Sequence, residues 1–399
     1  MLSVPSDLTY DPYNVEINID PYPTYHRLRD EAPLYYNEEH DFYALSRFED
    51  VERGLKEWQR YISGRGAIIE IIKLDMEFPP GVLIFEDPPL HTGHRGLLSR
   101  VFTPKKMNAL EGQIRDFCAR SLDPLVGGDR FDFIEDLGKQ MPMRVIGMLL
   151  GIPETDQEAV RDRADANLRT QPGKKMKFDE NSFDHTQMFA EYVDWRRDNP
   201  SDDLTTELIN AEFEDDEGVV RTLTREEVLM YLGVLAGAGN ETTTRLIGWT
   251  GKVLGDHPEQ RAQLVADPSL IPGAIEEILR YEGPAPHVAR YVTTDVEELH
   301  GETVPAGSSM MMLIGAANRD DRRWSEGDRF DIHRKPKSHL AFGYGIHFCL
   351  GAALARIEGR VALEEVLKRF PEWEVEIDGA KLSPTSTVRG WEQLPTRVA

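Results

Sequence analysis

Apolar residues recur at helical spacing along most of this chain, and the clearest such pattern lies near its end. Leu350, Ala353, Leu354, Ile357, Val361, Leu363, Val366, Leu367 and Phe370 predict one amphipathic helix over Leu350–Phe370. A second pattern opens at Thr224-Arg225-Glu226-Glu227, a capping-box signature, and runs to about Gly255, where His257-Pro258 stops it. Some thirty residues make a helix of about 45 Å, enough to cross a domain. Shorter helices are expected over Pro23–Asp30, after Arg47, behind Glu86-Asp87-Pro88-Pro89 and from Pro272. From Lys105 to about Pro200 the pattern is mostly helical, with Phe131–Ile134 and Met143–Leu150 as an apolar core helix and a polar break over Gln171–Asp184. Phe42–Leu45 reads as a strand, Tyr291–Gly315 as short strands, and Trp373–Ile377 with the C-terminal segment as a small hairpin region.

Composition narrows the classes. The 399 residues are 40% hydrophobic and 29% charged, the balance of a globular protein. A net charge of -24 argues against a nucleic-acid partner. The two cysteines, Cys118 and Cys349, make no disulfide framework or metal-binding Cys-x-x-Cys pair and suit a reducing cytoplasm. The first residues are polar and acidic, unlike a signal peptide, and runs such as Val145–Ile152 and Met310–Ala317 fall far short of the roughly 20 residues that span a bilayer. A cytoplasmic protein of one domain, residues 1–399, is expected.

Candidate chemistry concentrates just ahead of the last helix, in Phe342-Gly343-Tyr344-Gly345-Ile346-His347-Phe348-Cys349-Leu350-Gly351. Cys349 falls at the helix N-terminus, where free N–H groups and the dipole favour a thiolate. Gly343 and Gly345 allow the tight turn, and Gly351 leaves room for a flat ligand. A thiolate behind a planar ligand points to cysteine-ligated haem. In the long helix, Gly237 and Gly239 each cost roughly 1 kcal/mol against alanine, so they mark either a ligand's close approach or a helix crossing. Val234, Ala238 and Thr242 are four apart and share one face.

The loop resembles that of the cytochrome P-450 family, Phe-Gly-x-Gly-x-His-x-Cys-x-Gly, with every fixed position present. Further motifs follow in the family's order. The resemblance implies a mainly α fold with a minor β region, haem b being sandwiched between the long central helix and the Cys-loop helix. It makes Cys349 the iron ligand, with Phe342, Gly343, Gly351 and Gly239 against the cofactor. His91 and Arg95, the His-x-x-x-Arg behind Asp87-Pro88-Pro89, would bind propionates together with Arg290 and His347. His94 lies outside that pattern and is expected at the surface. Ala238–Thr243 match the family's proton-relay motif, which assigns Glu241 and Thr242 to catalysis. Glu277 and Arg280 match Glu-x-x-Arg, with Arg334 as the third, structural member. Val234, Ala238, Ala285, Pro286 and Val288 would contact substrate, below a roof formed by Tyr61–Phe85.

The implied reaction is insertion of one oxygen atom from O2 into a hydrophobic organic molecule such as a fatty acid, terpenoid or steroid. No flavin or nicotinamide fingerprint is present, so a ferredoxin or flavodoxin with its NAD(P)H reductase would supply electrons, docking near Arg100, Lys105, Lys106 and Arg356. A peroxide-driven peroxygenase, a non-enzymatic haem carrier or sensor, and a cysteine hydrolase remain alternatives. Met310-Met311-Met312 is read as strand packing more than as pocket lining.

Overall fold

The computed structural model describes residues 5–398 apart from 80, 169, 179, 216, 217, 337, 385 and 386. Five helices matter most for the site: α1 (Leu90–Ser99), α2 (Met141–Leu150), α3 (Arg225–Asp256), α4 (Ile271–Tyr281) and α5 (Ala352–Arg369). Thr224 and Glu227 close a reciprocal capping box at the start of α3: the Thr224 hydroxyl accepts the Glu227 N–H, and the Glu227 carboxylate accepts the Thr224 N–H. Leu229, Leu232, Leu246, Ile247 and Leu254 bury this helix in the main core. Gly251 lets it approach a π-helical turn, Phe133–Gly138: a Cβ there would meet the Phe133 ring at 2.6 Å. Helix α5 lies across both α3 and α4, because bare Gly359 sits against Leu246 and Ile275.

The β region is small. Its largest sheet contains β1 (Leu34–Asn37), β2 (Phe42–Leu45), β3 (Tyr61–Ile62), β4 (Val288–Val292) and β5 (Ser309–Met312), in the order β1-β2-β5-β4-β3. Met311 faces Ala44 across a parallel pair and Ala289 across an antiparallel one. All three methionines are buried in the sheet, between the strands that flank β5. A two-stranded hairpin, Glu212–Glu214 with Val220–Thr222, precedes α3. Trp373–Val375 pairs with the C-terminal strand Pro395–Val398, and that strand also pairs with Arg130–Asp132.

One predicted core helix divides. Phe131 lies in the strand Arg130–Asp132, Phe133 begins the π-helical turn, and regular helix starts only at Met141. The Asp132 carboxylate explains the break, since it caps the turn by accepting the Ile134 and Glu135 N–H groups and also takes the Leu394 N–H. In the Gln171–Asp184 break, of which residue 179 is outside the described residues, the chain turns at Gln171 and is held where Glu70 accepts the Met176 N–H.

Glu277, Arg280 and Arg334 meet in the interior. Arg280 makes two bonds to Glu277, of 2.7 and 2.8 Å, and Arg334 Nε reaches the same carboxylate at 3.1 Å. Arg280 also donates to the carbonyls of Asn318 and Gly327, pinning the strand-to-loop passage that leads to the cysteine. Glu277→Gln leaves a buried guanidinium without its counter-charge and is expected to cost about 3–5 kcal/mol. Urea unfolding of the haem-free protein measures this directly.

Candidate functional site

The cysteine loop is shaped by its glycines. Gly345 takes φ 71° and lies against the Leu55 carbonyl, which a Cβ would meet at 2.7 Å. The loop closes where the Cys349 N–H donates to the Phe342 carbonyl at 2.8 Å. Cys349 thereby stands one turn ahead of α5, with Gly351 as its cap residue. Burial pushes the thiol up from its ordinary range, while the Gly351 N–H, Arg95 and Arg356 pull toward the thiolate. Cys349 keeps an exposed surface, whereas Cys118 is enclosed and pushed up to about 12 by burial, so only Cys349 is available as a ligand. A Cβ at Gly351 would meet nothing within 4 Å, which leaves open space beside the sulfur.

Helix α3 presents the opposite wall. It is buried on most sides around its middle, yet Ala238 is exposed and Val234 and Thr242 are half-buried, one open stripe at four-residue spacing. The Thr242 hydroxyl donates to the Ala238 carbonyl at 2.8 Å, so its lone pairs remain to accept a hydrogen bond from the open side. Gly239 faces elsewhere: a Cβ there would meet Ile146 of α2 at 3.2 Å, so its bareness serves a helix crossing rather than the cofactor.

Glu241 departs from expectation as well. It is buried beside Arg245, Oε1 lying 3.0 Å from Nη2, and Arg245 is anchored by the Trp391 carbonyl and Ser383. A proton route through Glu241 therefore begins from an ion pair. A second acid escaped sequence reading: Glu358 of α5 is 2% exposed, burial raises its pKa well above the usual carboxylate range, and Thr243 hydrogen-bonds it. Its signal was an acidic residue on the apolar stripe between Leu354 and Val361.

His91, Arg95, Arg290 and His347 converge. The His91 and His347 rings are 4.5 Å apart by centroid, and neither buried Nε2 has a hydrogen-bond partner. Arg290 is buried and donates to its neighbour's carbonyl, Ala289, at 2.8 Å; burial lowers its pKa to about 10. Arg95 donates to the Phe348 carbonyl at 2.5 Å. None of the four has a carboxylate partner among the described residues. Burial, followed by the charges of Arg290, His91 and Arg95, pushes His347 down to about 3. Such a cluster calls for an anion, and one placed there would favour the protonated imidazoles. The two carboxylates of haem b suit it, and a flat ring fits beside Gly351, so these residues fit the cofactor.

Of the other expected contacts, Ala285 and Val288 keep open surface. Pro286 is buried and its carbonyl accepts the Gly315 N–H at 2.9 Å. His94 is fully buried, not exposed, because the Glu86 carboxylate holds its Nδ1 at 2.9 Å. Arg100 and Lys105 are exposed, but Lys106 is paired with Glu207 and Arg356 with Glu276.

A sulfur at a helix end, an open stripe on a long crossing helix and an anion-seeking cluster define a haem-thiolate protein. Comparison with known proteins agrees. The Cytochrome P-450 family model matches residues 250–389. Over 98% of its length the chain is 37% identical to the putative cytochrome P-450 123 of Mycobacterium tuberculosis, covering 97% of that protein. It superposes on cytochrome P-450 CYP109Q5 from Chondromyces apiculatus with a TM-score of 0.85 at 36% identity, covering 98% of both chains. With CYP109E1 from Bacillus megaterium, solved in complex with testosterone, the TM-score is 0.84 at 30% identity over 96% of this chain and 99% of that one. The chain belongs to the cytochrome P-450 family, whose members bind haem b and act as monooxygenases. No helix among the described residues is long and apolar enough to cross a membrane.

Arg290→Leu separates ligand binding from packing. It removes a buried charge that has no carboxylate ion-pair partner among the described residues, so the haem-free protein is expected to be as stable as the parent or more so. Haem affinity is expected to fall by about tenfold or more, as for lost support around a metal centre. Chemical unfolding and haem titration read the two effects.

Proposed function

We propose that this protein is a monooxygenase that inserts one oxygen atom from O2 into a hydrophobic organic substrate of fatty-acid, terpenoid or steroid type. The observation that carries this reading is the stripe of Val234, Ala238 and Thr242, four residues apart on one face of α3, with Ala238 the exposed residue between Tyr231 and Thr244. The small apolar side chains of Val234 and Ala238 favour an apolar guest, and Thr242 adds one hydroxyl to the same face. Testosterone in the related CYP109E1 supports the steroid-like end of that range.

Haem b would supply the two-electron activation of dioxygen, and the Cys349 thiolate would hold it and lend it electron density. Each remaining step falls to a named side chain. His91, Arg95, Arg290 and His347 balance the propionate charges and orient the ring. Thr242, with its own proton committed to Ala238, accepts a hydrogen bond at Oγ1 from a water or protonated group in the pocket and so holds that proton near the reacting atoms. On leaving Arg245 the Glu241 carboxylate would take a proton from water and pass it to the pocket, and as the carboxylate so regenerated it pairs again with Arg245.

Electrons come from a separate ferredoxin or flavodoxin and its NAD(P)H reductase, carriers of the cytoplasm. Of the four basic residues considered for docking, Arg100 and Lys105 make no ion pair among the described residues, whereas Glu207 and Glu276 pair with Lys106 and Arg356.

Titrating a panel of fatty acids, terpenoids and steroids against the ferric protein, with its spin state as readout, tests the substrate class; a panel that leaves the spectrum unmoved contradicts it. Thr242→Ala is expected to keep substrate binding while product formed per O2 consumed falls by about a hundredfold, the usual scale of a lost proton-handling group. Oxygen uptake and product assayed together decide the point, and unchanged coupling would remove Thr242 from the mechanism.

A further inference from the structure

We infer that His94 is a positioning residue, a buried imidazole clasp that fixes the propionate-binding helix α1 to the capped first turn of the central helix α3. The inference rests on the reading of His91 and Arg95 as propionate ligands.

His94 Nδ1 lies 2.9 Å from both oxygens of Glu86, and Glu86 also accepts the Gly81 N–H at 2.8 Å. Across the ring, Nε2 is 3.8 Å from Glu227 Oε1 and makes no hydrogen bond. Glu227 is the carboxylate of the α3 capping box, gripped by Arg221 through two bonds of 2.8 Å, and Arg221 also reaches Asp215 at 3.2 Å. Tyr231 of α3 meets the imidazole edge-on with centroids 5.6 Å apart, and Phe213 of the hairpin lies 5.2 Å away on centroids. The groups that face His94 among the described residues are thus the carboxylates of Glu86 and Glu227, the rings of Tyr231 and Phe213, and His91 of its own helix, with Arg221 beyond Glu227 and held by it and Asp215.

Two buried carboxylates flank this ring, and Arg221 serves only one of them. The Nδ1–H is the side-chain donor that satisfies Glu86, and removing it strands a desolvated acid. The position then matters because α1 is a rigid helix. His94 adjoins Arg95 and lies three residues after His91, so a rotation that opens the clasp displaces both at once. Glu86 reinforces the link from the other side, since its main-chain carbonyl accepts a hydrogen bond from His347. One residue therefore ties the cysteine loop, α1 and the start of α3 together. Support of this kind around a metal centre typically changes affinity by about ten- to a hundredfold.

The test measures haem transfer from the holoprotein to an excess of apomyoglobin, together with amide-hydrogen exchange across residues 90–99 in haem-free protein. His94→Leu is expected to speed haem loss about tenfold or more and to raise exchange in residues 90–99 while residues 352–369 stay protected. His94→Gln, which can still donate to Glu86, is expected to recover most of the parent rate. Should His94→Leu fail to fold, Glu86→Gln carries the test, because it keeps the fold's acceptor for Gly81 but weakens the hold on the imidazole. Haem loss at the parent rate in whichever variant folds overturns the clasp, as does faster exchange spread evenly over the chain. Arg95→Ala is run beside them. If it leaves haem loss unchanged, the propionate reading itself fails; if it speeds loss while His94→Leu does not, only the clasp fails.

Discussion

A buried guanidinium needs an anion, and Arg290 makes no ion pair among the described residues, Asp87 acting on it only from a distance. Leaving such a charge in a desolvated interior is expensive, and the fold does so beside Arg95 and two imidazoles whose inner nitrogens also lack partners. The arrangement makes sense once the counter-charge comes from outside, on a ligand whose two carboxylates His91, Arg95, Arg290 and His347 would hold. Haem b meets that demand. Its binding converts a destabilising cluster into a satisfied one, so the cofactor contributes to the stability of the fold as well as to its chemistry.

Much of the remaining architecture serves to hold two surfaces apart at the right spacing. Helix α3 is fastened at its start by the Thr224–Glu227 box and farther along by the close approach of Phe133 to Gly251. Helix α5 is fastened to α3 and α4 at Gly359, and the Glu277–Arg280–Arg334 cluster anchors the loop that leads into the cysteine turn. Between these fixed points the middle of α3 stays open along Val234, Ala238 and Thr242. Side chains on either side of that stripe point into the protein, which is why Glu241 ends in an ion pair with Arg245 and Gly239 ends against Ile146 although both adjoin the stripe in sequence.

What could be read from the sequence was local. A capping box, a glycine-bounded cysteine turn and the period of α5 each depend on residues a few positions apart, and all three are present where the pattern put them. His94 shows where such reading stops. Its burial depends on Glu86, eight residues away, and on Glu227 and Phe213, more than a hundred residues away, none of which leaves a mark on the periodicity of α1. Phe131–Ile134 misled for a related reason: its apolar residues are core, but the Asp132 caps turn the chain there instead of letting it run as helix. Pro286, expected to contact substrate, is buried, and its main-chain carbonyl accepts the Gly315 N–H. Glu358 is the opposite case. Its place on the apolar stripe of α5 was visible and carried the information that a carboxyl sits inside the core.

The account depends on the sulfur of Cys349 being the axial ligand of the iron. The most direct test is the absorption spectrum of the reduced, carbon-monoxide-bound protein, recorded for the parent and for Cys349→Ala. The parent is predicted to show the red-shifted Soret band peculiar to thiolate-ligated haem, and the variant to lose it. A parent spectrum without that band, or a Cys349→Ala spectrum that retains it, would contradict the account.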